Sequence, residues 1–147
     1  MAVLQPNTKV YYGGSPTWQP AFYTFNTTAS TPLYFHFKTN IPYNTNIMFM
    51  IEAEGYNYGQ TLPILCAWCG YPYSGTNSII QVGLHTSSYN GLSADGVYSS
   101  SDGYVVLRAY SGSHYYTGFV LSAYMVGMPT VVSITAANQN STTGNYY

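Results

Sequence analysis

Glu52 and Glu54 are the closest pair of carboxylates in the chain, and they are where a search for chemistry begins. Two residues apart on a strand, they share one face with side chains about 7 Å apart. That gap fits an inverting glycosidase, in which a water sits between a general acid and a general base. It also suits a calcium ion, which takes several oxygen ligands. A third reading needs no ligand, because charges on a solvated strand face discourage unwanted pairing with other chains. A hydrolase site draws on further carboxylates, and the chain has only Asp95 and Asp102 besides this pair. The balance favours the solvated face. No enzyme, resident metal or cofactor is expected, and Glu52 and Glu54 stay as weak candidates for a hydrolase or metal site.

Cys66-Ala67-Trp68-Cys69 has the CxxC spacing of a redox site. Such sites place the first Cys at a helix N-terminus, whose dipole stabilises the thiolate. Here the pair falls in a strand-like run from Ile64 to Gly70. Three positions apart on a strand, the thiols face opposite sides at a separation of about 10 Å, too far for a disulfide. A zinc site would need two more ligands, and His36, His85 and His114 lack paired spacing. Free, largely buried thiols follow. No GxSxG turn is present to present a nucleophilic Ser, and single His residues on sheet faces read as satisfied surface or interface groups. Asp95-Gly96 and Asp102-Gly103 read as turns, since Asp bonds its own backbone and Gly supplies positive φ. Asn26 and Asn140 open N-glycosylation sequons, which chance allows in a chain this rich in Asn and Thr.

The aromatic excess carries more. Eighteen Tyr cannot all lie in a core, because a phenol buried without a partner costs free energy. Tyr offers large, rigid contact area together with a hydroxyl for hydrogen bonds. Tyr-rich clusters recur at Tyr11-Tyr12, Tyr56-Asn57-Tyr58, Tyr71-Pro72-Tyr73, Tyr115-Tyr116 and Tyr146-Tyr147. Tyr56, Tyr58, Tyr71, Tyr73, Tyr89 and Asn90 are the candidate binding residues. Two partners fit such a surface: identical subunits, or sugars whose C–H faces stack on the rings.

Charge narrows the field further. Of 147 residues only Lys9, Lys38, Arg108, Glu52, Glu54, Asp95 and Asp102 carry a formal charge, where an ordinary domain of this length has roughly 37. Three cations cannot drive nucleic-acid binding by counterion release, nor form a basic patch for an anionic membrane. At 46% hydrophobic and 18% aromatic, the chain is not of disordered composition. No run of 18 apolar residues is present to insert into a membrane as a helix, and the first residues lack the features of a signal peptide. Export without a signal, export with the signal removed, or release inside a particle by lysis are the routes that this leaves.

The elements that hold these residues alternate with period two, bounded by Gly, Pro, Asn and Ser. Leu33, Phe35 and Phe37 face one way, and Tyr34, His36 and Lys38 the other, with a turn at Thr39 to Asn44. In Ile47 to Gly55, Ile47, Phe49, Ile51 and Ala53 oppose Met48, Met50, Glu52 and Glu54. Further strands are expected at Lys9 to Tyr12, Trp18 to Phe25, Leu62 to Gly70, Ile79 to Leu84 and Val131 to Ala136. Tyr104 to Tyr110 and Tyr115 to Val126 read as a hairpin around Ser111-Gly112-Ser113. Asn57 to Leu62 and Leu84 to Ser101 read as long polar connections, the places where recognition usually sits. The result is one all-β domain spanning 1–147, an antiparallel two-sheet β-sandwich or jelly roll of about 8–10 strands. The ends, about 1–30 and 127–147, are expected to engage neighbouring subunits.

Several segments resemble the terminal modules of tailed-phage fibre and virion proteins, especially those of aquatic phages. They are Tyr34 to Pro42, Ile47 to Gly59, Ser100 to Leu107 and Tyr115 to Phe119. Their order is similar: an aromatic strand, a strand ending in an acidic-Gly-Tyr turn, a Gly-Tyr strand, then a Tyr-Gly-Phe hairpin partner. The resemblance spans roughly Tyr34 to Met125 and carries over no catalytic residue. It implies a β-sandwich in a homotrimeric or otherwise symmetric assembly, attached to a host-surface glycan or protein. Such modules end a longer shaft, so a small subunit that polymerises head-to-tail into a helical filament in the extracellular space is the alternative.

Overall fold

A computed structural model describes residues 21–25, 33–57, 63–88, 92–112, 117–126, 134–140 and 144–147. The expected strand Lys9 to Tyr12 lies outside them, as do Asn26, Tyr58, Tyr89 and Asn90. Among the described residues nine antiparallel strands follow one another: β1 (Ala21–Phe25), β2 (Leu33–Pro42), β3 (Met48–Asn57), β4 (Ile64–Tyr73), β5 (Ser78–Ser88), β6 (Ser93–Ser99), β7 (Tyr104–Ser111), β8 (Thr117–Val126) and β9 (Ile134–Asn140). They form two sheets. Sheet A has the order β1-β8-β3-β4-β5 and sheet B the order β6-β7-β2-β9. The chain is an all-β, two-sheet sandwich.

Alternation decides which side chains meet between the sheets. From sheet A, Phe49, Ile51 and Ala53 of β3, Ile64, Cys66 and Trp68 of β4, and Phe119, Leu121 and Ala123 of β8 are buried in one cluster. From sheet B, Phe35 and Phe37 meet them with Val105, Leu107 and Ala109. Phe37 is the aromatic hub, edge-on to Trp68 at 6.3 Å and to Phe119 at 5.8 Å. The indole of Trp68 also donates to the Arg108 carbonyl at 2.9 Å, a hydrogen bond from one sheet to the other.

Four expectations need correction. Pro42 remains in β2, and the turn follows at 43–46. The pairing of β2 shifts register around Lys38 and Thr39. There the Thr39 hydroxyl donates to the Val105 carbonyl and accepts from Ile41 N–H, supplying partners that the interrupted ladder does not. Tyr104–Ser111 and Thr117–Val126 are not a hairpin: β7 pairs with β6 and β2 in sheet B, while β8 pairs with β3 and β1 in sheet A. The chain therefore crosses between sheets there. Leu84 to Ser101 is not one long connection either, because β5 continues to Ser88 and β6 occupies Ser93–Ser99. Asp95-Gly96 accordingly lies inside a strand, where Asp95 accepts a hydrogen bond from Arg108 Nε at 2.5 Å. Asp102-Gly103 is a turn, with Gly103 at φ 86°.

Candidate functional site

Outward side chains of β3 and β4 form the exposed side of sheet A. The register Glu52↔Ala67↔His85 sets a carboxylate and an imidazole on either side of a small residue, two strand spacings apart. A groove of about 250 Å³ opens there, lined by Glu52, Ala53, Glu54, Leu65, Cys66, Ala67 and His85. Glu52 and Glu54 do share one face. Their surroundings are two carboxylates and one imidazole among apolar residues, with Asp95 and Asp102 on the other sheet. Among the described residues no three of His, Cys, Asp and Glu stand close enough to hold a metal ion.

Cys66 and Cys69 are free and face opposite sides of β4. Burial among apolar groups pushes the Cys66 thiol up to about 12, so it stays protonated near neutrality. Cys69 points outward, and its sulfur lies over Gly83, where a Cβ would come within 2.7 Å of it.

The candidate tyrosines do not form one site. Tyr56, 55% exposed, stands at the C-terminal end of β3. Tyr71 and Tyr73 close the C-terminal end of the antiparallel β4, at the opposite end of the sheet, about 25 Å away by strand rise. Tyr71 and Tyr73 do come together. Their rings stack with centroids 5.8 Å apart and an interplanar angle of 24°. Gly75 lies against the Tyr73 ring, for a Cβ there would meet it at 2.5 Å.

The rim beside these rings is tied to the strand ends. Asn46 donates through Nδ2 to Ser74 Oγ at 2.8 Å and accepts from Ser74 N–H at 2.9 Å. Its own N–H donates to the Pro72 carbonyl at 2.8 Å. Asn46 adopts φ 57°, a left-handed conformation that Asn tolerates better than most residues. Tyr–Tyr spacing pointed to the ring pair, whereas nothing in the sequence marked Asn46 or Ser74.

Sheet B presents a different outer side. Lys38 Nζ donates to Asp102 Oδ2 at 2.5 Å, and Ser100 Oγ donates to Asp102 Oδ1 at 2.6 Å. These bonds, the Lys38 ammonium first, hold the Asp102 carboxyl below its usual range. His36, opposite Arg108 in the register, is fully buried. Burial, reinforced by the Arg108 guanidinium and opposed by Asp95, lowers its pKa. Alternation puts His36 on the polar face of β2, away from the inter-sheet core, and there the 144–147 segment lies over it. Tyr146 N–H donates to Tyr98 Oη at 3.0 Å, and the Tyr146 ring packs 5.8 Å from the imidazole.

Comparisons of the chain with protein families, curated proteins and solved structures find no match.

Proposed function

We propose that this chain is a non-catalytic module of a virion or extracellular fibre, acting as a symmetric homo-oligomer that binds a neutral host-surface glycan. The Tyr71–Tyr73 stack carries the reading. Two rings held nearly parallel on an exposed strand end offer an apolar platform to the C–H face of a sugar. Their hydroxyls, with Asn46 and Ser74 beside them, offer polar partners to its hydroxyl groups. Gly75 and the Asn46–Ser74 bonds restrict this rim before any ligand arrives, which lowers the ordering cost of binding. The neutral composition around it suits an uncharged ligand. The phage-fibre resemblance of the sequence supports the same reading.

A glycan array tests it. Wild-type protein should bind a subset of neutral glycans, and Tyr73→Ala should lose them while remaining folded. Blank wells at high protein concentration, or binding that Tyr73→Ala leaves intact, would overturn the reading.

A second reading, a subunit of a self-assembling extracellular filament, is favoured by β5. This edge of sheet A runs eleven residues without Pro, Asp, Glu, Lys or Arg, and exposes Val82 at 43% and Leu84 at 45%. Natural edges are usually blunted by charge or Pro. Mass measurement in solution separates the two: a small closed oligomer favours the fibre module, and concentration-dependent growth to long polymers favours the filament.

A further inference from the structure

Tyr98 joins three groups through a single hydroxyl. Its oxygen accepts from Tyr146 N–H at 3.0 Å and from Tyr147 N–H at 3.3 Å. A phenol has one proton and two lone pairs. With both lone pairs occupied, that proton goes to the remaining neighbour, His36 Nδ1, at 3.0 Å. Nδ1 is therefore an acceptor, and His36 is neutral with its own proton on Nε2. That Nε2 is buried and has no partner, so the tautomer follows from the hydroxyl and not from a bond at the other nitrogen.

We propose that the 144–147 segment is a proton-controlled latch: it stays docked on sheet B while His36 is neutral and is released when His36 takes a proton from solvent. Protonation places an N–H on Nδ1, facing a hydroxyl whose lone pairs already serve the two segment amides. Tyr98 must then drop one of those amides, or leave a buried cationic N–H unsatisfied, which is costly.

Among the described residues, no side chain packed around the ring offers a spare anion. On β7, Arg108 adds a like charge; on β6, Asp95 is paired with Arg108. On β2 itself, Lys38 is paired with Asp102 of the β6–β7 turn. Strand β9, Ile134–Asn140, contains no ionisable residue. The segment itself brings Tyr146 and Tyr147, the latter with a phenol raised chiefly by burial and its ring 5.5 Å from Lys38 Nζ. Because burial and Arg108 lower the His36 pKa, the docked state holds fully above the ordinary histidine range and weakens as the pH falls below it. Release uncovers the His36 ring and the Tyr98 hydroxyl, the groups that Tyr146 and Tyr147 contact.

Amide hydrogen exchange by NMR, corrected for intrinsic rates, reads the latch directly. From about pH 7.5 to about pH 5, across histidine titration, Tyr146 and Tyr147 amides should lose protection while Val105 and Leu107 keep theirs. The loss should be about five-fold to ten-fold, the scale of one hydrogen bond. Tyr98→Phe keeps the ring and removes the hydroxyl, so it should leave both amides weakly protected at either pH. Ring ¹⁵N shifts should report an Nε2–H tautomer at neutral pH. Unchanged protection of Tyr146 and Tyr147 across the range, an equal loss throughout β7, or full protection in Tyr98→Phe would each overturn the latch.

Discussion

The outer sides of the two sheets handle polarity in opposite ways. On sheet B the charges are paired with one another, Lys38 with Asp102 and Arg108 with Asp95, and the chain's own 144–147 segment covers the histidine between them. On sheet A the formal charges among the described residues are Glu52 and Glu54 alone, and Met48, Leu65, Tyr56 and Tyr73 stand exposed. Strong, directional interactions close one side of the sandwich upon itself. Weak, apolar and hydroxyl-rich groups leave the other open. A nearly uncharged chain can thus have one side organised by its own ion pairs and another that exposes apolar and hydroxyl groups, and the side proposed above to meet a partner is the one with fewer ions.

Removing what both sides share should have the largest effect. Trp68 is fully buried at the junction of the sheets and bonds across them. Trp68→Ala should cost about 3–5 kcal/mol in denaturant unfolding, and both the Tyr71–Tyr73 rim and the His36 environment should loosen in NMR spectra. Gly55→Ala targets sheet A alone. A Cβ there would collide with the Gly118 carbonyl and the Phe119 backbone across the β3–β8 ladder. Overpacking against backbone should cost about 1–3 kcal/mol, with the His36–Tyr98 contact preserved in the folded fraction.

Sheet B is tested by charge. Arg108→Met leaves half-buried Asp95 without its guanidinium and should cost about 1 kcal/mol. Acid should act on the same side. The folded state resists protonating His36, so as pH drops below about 6.5 the unfolded chain takes up a proton that the folded one resists, and stability falls. Asp102 adds a second loss at lower pH, because its depressed carboxyl stabilises the fold above the usual carboxylate range and ceases to as it protonates. His36→Gln should flatten the first loss in a urea-midpoint series and leave the second.

The smallest effect belongs to the edge of sheet A. Gln81 sits at φ 53° where β5 shifts register against β4. Gln81→Gly removes a left-handed Cβ penalty, offset in part by the entropy of glycine. A gain from a few tenths to about 1 kcal/mol is expected.

Local alternation made most of this architecture readable. In β3 the apolar set Phe49, Ile51 and Ala53 is buried, and Met48, Met50, Glu52 and Glu54 face out, as period two requires. Strand β6 was not readable, because Ser-Ala-Asp-Gly-Val-Tyr-Ser carries a turn dipeptide, and its pairing depends on Arg108 some thirteen residues away. The β7–β8 crossing escaped for a related reason. A short Gly-Ser connection looks the same whether it reverses a strand within a sheet or carries the chain to the next one. The aromatic site was half legible: Tyr71 and Tyr73 share a face by spacing, but the turn that sets Asn46 and Gly75 around them is tertiary. His36 was opaque, since its burial depends on a segment 110 residues further along the chain.

The central claim is that sheet A meets an uncharged partner through its tyrosine rim. Titration of an array-selected neutral glycan against wild-type, Tyr73→Ala and Gly75→Ala proteins, at low and high salt, tests it most directly. The account predicts binding that salt leaves unchanged. It also predicts at least a ten-fold weakening in Tyr73→Ala, about 1.4 kcal/mol, and a smaller weakening in Gly75→Ala, where the added Cβ displaces the Tyr73 ring. Binding that collapses with salt, or that neither substitution changes, would contradict it.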